Sequence, residues 1–274
     1  LRRLILQASG VNANVSGEVA WTPAVAVRLA GLVVGDLAQV DEFFGIGIGL
    51  AGQVQAHSTI TVGGDGFAVD AEVASQRVRV VGFEVSELAG RVHVSPDGVE
   101  ATLDSGRFAG GQVEGSYQLA DFGPTFSHKV ALRGHGVGID DFLSFLGIGR
   151  GGLASRASVN AELAWEGSHI GQGRGVAVVR LSPAGDGVPA EGQLVVALRS
   201  DGALHFEARN LALSGGSVSW QGTLALGSWI PQWAVASPGV PLEAVSSLLA
   251  GWVGQPLLPE SLSGTAVFDL TISG

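Results

Sequence analysis

Apolar and polar residues alternate with a period of two along most of the chain, and this constrains the fold more than any other feature. Phe67-Ala68-Val69-Asp70-Ala71-Glu72-Val73 puts Phe67, Val69, Ala71 and Val73 on one side of an extended backbone. Gly90-Arg91-Val92-His93-Val94 leads through Ser95-Pro96-Asp97-Gly98 into Val99-Glu100-Ala101-Thr102-Leu103, which predicts a hairpin. Leu194–Leu198 and Ala203–Ala208, separated by Arg199-Ser200-Asp201-Gly202, predict a second. Trp165-Glu166-Gly167-Ser168-His169 reads as a further turn. One-sided alternation implies antiparallel meanders with one covered face. The 43 glycines fall in turns and inside strands, where they point to bends, bulges or close backbone approach.

Three segments break the alternation with helical spacing: Asp36–Phe44, Asp140–Leu146 and Leu242–Leu249. Asp36 is placed to cap the first. Asp140-Asp141 at the second helix start read as caps that favour the positive end of its dipole. Pro241 precedes the third as a first-turn residue.

These helices recur. Phe44-Gly45-Ile46-Gly47 matches Leu146-Gly147-Ile148-Gly149, and Leu50–Ala56 matches Leu153–Val159, with a third copy at Leu262–Leu270. Gly110-Gly111-Gln112-Val113 corresponds to Gly215-Gly216-Ser217-Val218, and Gly10–Gly17 reads as another copy. The unit is a strand meander, a glycine-rich strand, a short helix and the next meander. It predicts one continuous array over 1–274, with boundaries near 1–31, 32–133, 134–240 and 241–274.

Composition narrows the functions. Hydrophobic residues make up 46% and charged residues 15%, with a mean hydropathy of +0.36. No apolar run approaches the ~20 residues of a membrane-spanning helix. The net charge of −10 with 15 Lys and Arg argues against a nucleic-acid partner. Without cysteine there is no disulfide, thiolate metal site or thiol nucleophile. The absence of Met and of a signal-peptide pattern suggests a piece of a longer protein.

Leu211-Ala212-Leu213-Ser214-Gly215-Gly216-Ser217-Val218 and Leu262-Ser263-Gly264-Thr265-Ala266-Val267-Phe268-Asp269-Leu270-Thr271-Ile272-Ser273-Gly274 resemble the glycine-rich strand and the post-helix strand of the TamB and AsmA-like families. The resemblance covers the chain from about Leu4 onward. It implies an all-β fold: an elongated, curled antiparallel sheet with an apolar groove and short inserted helices. It also implies a periplasmic or cell-envelope setting in a Gram-negative-type bacterium. There the protein would shield phospholipid acyl chains in transport between inner and outer membranes, or support outer-membrane assembly. The implied partners are phospholipid, the membrane through other parts of the parent protein, and an outer-membrane barrel protein.

Alternation then nominates groove-lining residues: Phe67, Val69, Val73, Val92, Val94, Leu103, Val113, Leu163, Val178, Leu194, Val196, Leu198, Leu204, Phe206 and Leu224. No catalytic residue, metal ligand or cofactor is expected. Gly47–Gly52 fits G-x-G-x-x-G, but a helix precedes it and a strand follows, the reverse of the dinucleotide arrangement. Gly63-Gly64-Asp65-Gly66-Phe67-Ala68 has Ala where a calcium-binding repeat needs Asp. The six histidines have no metal-ligand spacing. Trp229, Trp233 and Trp252 lie in an apolar stretch that suits packing between repeats or an interfacial contact. The alternative reading is a structural or adhesive β-repeat surface protein without lipid transport.

Overall fold

A computed structural model describes residues 3–8, 10–21, 26–44, 49–64, 66–80, 83–121, 126–145, 152–167, 170–225, 231–253 and 263–273. The described residues are nearly all strand: β1 (Leu4–Ala8), β2 (Val11–Ala20), β3 (Ala26–Asp36), β4 (Ala51–Gly63), β5 (Gly66–Val80), β6 (Phe83–Ser95), β7 (Gly98–Phe108), β8 (Gly111–Ala120), β9 (Ser127–Gly138), β10 (Ser155–Glu166), β11 (Arg174–Pro183), β12 (Ala190–Leu198), β13 (Ala203–Leu213), β14 (Gly216–Ala225), β15 (Pro231–Pro241) and β16 (Thr265–Ser273). Three short helices interrupt them: α1 (Leu37–Phe44), α2 (Ile139–Phe145) and α3 (Leu242–Val253). None is long and apolar enough to cross a membrane. The all-β antiparallel class expected from alternation is what the chain adopts.

The chain divides into two compact units, one of Leu1–Phe108 with Gln112–Val130 and one of Ala109–Gly111 with Ala131–Gly274. In each unit the strands pair in chain order. The strands pair antiparallel, for instance β4 with β5 and β12 with β13. Tight connections favour this order: two residues separate β1 from β2, β4 from β5, β5 from β6, β6 from β7, β7 from β8 and β13 from β14, which lets the second strand of each pair fold back on the first. Ser95 pairs with Gly98 across Pro96-Asp97, as the sequence predicts. At the Gly-Gly motifs, Ala109-Gly110 and Ser214-Gly215 both have positive φ at two successive positions, the requirement of the hairpin turns that match strand twist. The connection after Glu166 is longer than a tight turn, since a single 3-10 turn at Ile170–Gln172 intervenes before β11.

The repeat is visible in the elements. The sequence strand, strand, helix, strand occurs as β2-β3-α1-β4, β8-β9-α2-β10 and β14-β15-α3-β16. The helices begin at residues 37, 139 and 242, so their spacings are 102 and 103 residues. The same local bonds recur too. The Gly10 carbonyl accepts from Asp36 N–H at 2.7 Å, and the Ala109 carbonyl from Gly138 N–H at 2.8 Å. The matching segments 45–48, 146–150 and Leu262 lie outside the described residues.

Glycine inside strands has a steric reason at β2–β3. A Cβ on Gly17 would meet the Arg28 carbonyl oxygen at 1.9 Å, and one on Gly31 would meet the Asn14 oxygen at 2.1 Å. The paired backbones therefore approach in a way only glycine permits.

The helices differ in what they hold. Asp36 caps α1, its Oδ1 accepting the Ala38 N–H at 3.0 Å. Asp140 lies in the first turn of α2, as expected, and has a further role there. Its carboxylate accepts the Gly152 N–H at 3.1 Å and the Leu153 N–H at 3.0 Å, tying α2 to the start of the next meander. Asp41 does the same for Gly49 and Leu50 at 2.9 and 3.1 Å. In the second unit α3 covers a small core: Val188, Val218, Val240 and Ala244, with Leu153, Leu213, Val235, Val245 and Leu248 against it.

Candidate functional site: an apolar sheet face

Directly opposed residues of antiparallel strands share a face, so the registers assign the residues they pair to a side. In the first unit one cross-strand row runs Gly17, Leu29, Ile60, Val69, Val94, Val99. The next runs Val15, Gly31, Ser58, Ala71, Val92, Ala101, and the next Ala13, Val33, Ala56, Val73, Gly90, Leu103. Val27, Val62 and Phe67 extend the face towards the strand ends. Ser58 is the one polar residue in these rows. The opposite face carries Asp70, Glu72, Arg91, Glu100 and Asp104.

The second unit is built likewise. One row runs Leu163, Gly175, Leu198, Leu204, Leu224, and the next Ala161, Ala177, Val196, Phe206, Gly222, Trp233. A third runs Val159, Val179, Leu194, Ala208, Trp220, Val235, Leu270.

The structure thus brings Phe67, Val69, Val73, Val92, Val94 and Leu103 together on one face of the first unit. Val113 joins them: a Cβ built on Gly106 would lie 3.3 Å from a Val113 methyl and 3.7 Å from a Leu103 methyl. Leu163, Leu194, Val196, Leu198, Leu204, Phe206 and Leu224 share the corresponding face of the second. Val178 does not. It pairs with Asn160 and Val195 and lies on the side opposite Leu163.

These faces are only partly withdrawn from water. Val62 and Phe67 are each 42% exposed, and most residues in the rows are half-buried. Among the described residues 14 apolar side chains are buried and only Val240 is fully so. A chain with 46% hydrophobic residues that closed a two-layer core would bury far more of them.

Sequence reasoning did not single out the aromatic plate on the second unit's face. Phe206 and Trp220 stack with ring centroids 5.7 Å apart, and Trp233 meets Trp220 edge-on at 5.8 Å. Neither indole N–H has a hydrogen-bond acceptor. On the first unit Tyr117 bonds His128 Nδ1 at 2.9 Å, and burial raises its hydroxyl above the usual tyrosine pKa.

The polar side of the first unit carries cross-strand polar pairs. Arg91 meets Asp104 at 2.8 Å, and His93 Nδ1 lies 2.7 Å from Asp70. The hydrogen bond from Arg91 holds the Asp104 carboxyl below the usual carboxylate range. No three His, Asp or Glu side chains are grouped to hold a metal ion among the described residues. Gly47 and Ile48 of the G-x-G-x-x-G segment lie outside the described residues. So do Asp65 of the calcium-like segment, His169 and Trp229, and of Trp252 only the backbone is described. Comparison with known protein families, curated proteins and solved structures gives no match.

Proposed function

We propose that the apolar faces of this chain shield the acyl chains of phospholipid in a bacterial cell envelope, as a non-catalytic segment of a protein that moves lipid between membranes or supports outer-membrane assembly. The observation that carries the reading is the set of cross-strand rows. Aliphatic, aromatic and small residues follow one another from strand to strand with no charged residue among them. Such a surface offers burial without fixed hydrogen-bond geometry, which suits a hydrocarbon chain. Each CH₂ covered contributes about 0.8 kcal/mol. Because successive strands present similar residues, a chain displaced by one strand exchanges like contacts for like. That is the condition for sliding with little change in free energy. The loose resemblance to the TamB and AsmA-like families points the same way. It supplies the periplasmic setting, the membrane reached through other parts of the parent and the outer-membrane barrel partner.

The test is uptake of a fluorescent phospholipid by variants of known face. Val69→Arg and Val196→Arg put a charge on the apolar faces, whereas Val178→Arg puts one on the opposite side. The proposal expects uptake to fall at least tenfold in the first two and to hold in the third, with unchanged circular dichroism in all. Equal uptake by all three would remove the proposal in favour of a structural or adhesive scaffold.

A further inference from the structure

The other face of the second unit is polar and solvated, with Glu207, Gln221, Gln232, Thr271 and Ser273 exposed. Over β12–β16 it sinks into a trough of about 570 Å³, a volume within the range of small-molecule sites. Two cross-strand rows line it side by side. One runs Ala197, His205, Thr223, Gln232, Ser273, and the other Val195, Glu207, Gln221, Ala234, Thr271. Val195, Ala197, Thr223 and Ala234 are half-buried and form the floor, with the longer polar side chains rising beside them. The first unit carries cross-strand ion pairs such as Arg91–Asp104 on the equivalent side of β6–β7, and a smaller depression of about 480 Å³ at β2–β5.

The chemistry of the rows is selective. Gln221 and Gln232 each offer a donor and an acceptor, and Thr223, Thr271 and Ser273 do the same through hydroxyls. Such groups match a ligand that also both donates and accepts. An anion would call for several cations, and the trough has Arg199 and His205, the latter held by Asp201 at 3.0 Å. A metal ion would call for grouped carboxylates, and Glu207 is the one acid in the lining. The rows also have a length. Five strands at about 4.8 Å spacing make a track roughly 19 Å long, with rows about 7 Å apart. Pyranose rings of an extended glycan repeat at close to that same strand spacing, and the small apolar floor suits their C–H faces.

We propose that this trough binds a neutral, linear oligosaccharide laid across β12–β16, each ring meeting one strand. Glu207 is the one carboxylate in the lining, where hydrolysis calls for a pair, so the proposed site holds the glycan without cleaving it.

The experiment is calorimetric titration of the whole chain with cellotetraose, with glucose and a neutral hexapeptide as comparisons. The expected result is that cellotetraose binds at least tenfold more tightly than glucose. The double variant Gln221→Ala, Gln232→Ala then loses at least tenfold in affinity. Ala234→Phe, which fills the floor, abolishes binding, and Val196→Arg on the apolar face leaves it unchanged. Circular dichroism of each variant separates loss of the site from loss of the fold. No binding of cellotetraose overturns the proposal. Binding that the trough variants leave intact overturns it too, as does tighter binding of the hexapeptide at the same residues.

Discussion

The patch under α3 and the open remainder of the same face in the second unit are made of the same kinds of residue. They differ in what lies over them. Val240 is 0% exposed and Ala244, Val188 and Val218 are at 5%, 4% and 8%, whereas Leu204, Phe206 and Leu224 stay half-buried. One helix of 12 residues converts a strip of sheet into a core, and in the rows of the second unit's open face most residues stay half-buried, Leu198 and Ala208 being buried. Apolar composition alone therefore does not say which residues stabilise the fold and which are left for a ligand. The covering element does. Bulges mark the change, with registers shifting between Ala208 and Leu211, Ser217 and Ser219, and Ser237 and Val240.

The contrast can be broken most forcefully at its buried end. Val240→Asp places a charge where nothing can pair with it and should cost about 4 kcal/mol or more in denaturant unfolding. A cost below about 1 kcal/mol would mean that α3 does not make a core. Removing a helix tie comes next. Asp140→Ala leaves the Gly152 and Leu153 N–H groups without their acceptor and should lower stability by about 1–3 kcal/mol, with hydrogen exchange rising at those two amides. Val196→Arg on the open face should cost about 1 kcal/mol or less, while removing lipid uptake. A cost matching that of Val240→Asp would show the open face to be core.

The smallest effect concerns the polar side. The Asp104 carboxyl is held low by its bond from Arg91, so its stabilising contribution is present above the ordinary carboxylate pKa and lost as pH falls through its depressed value. Asp104→Asn should therefore melt slightly lower than the parent at neutral pH and converge with it in strong acid. Both partners are exposed, so solvent screening keeps the difference small.

How far this contrast was legible in the sequence depends on the residue. In β5 strict alternation put Phe67, Val69 and Val73 on the correct common side. In β11 it could not, because Val176-Ala177-Val178-Val179 is apolar throughout and either parity fits. Only pairing decides: Leu163 opposes Gly175, which leaves Val178 facing away. The helices were legible from spacing and from Asp36. The role of Asp140 was not, since its partners lie 12 and 13 residues on in the chain. The bulges left no signal either, and they set where the covered strip ends. The trough was hidden for the same reason as the Val178 placement: it exists only as rows across five strands, and no stretch of one strand contains it.

The central claim is that the open apolar faces hold lipid, and native mass spectrometry of the purified chain with lipid extraction of the same sample tests it most directly. The account predicts phospholipid co-purifying in more than stoichiometric amount, and its loss from the Val69→Arg and Val196→Arg chains. A lipid-free, monodisperse chain that also fails to take up labelled phospholipid would contradict it.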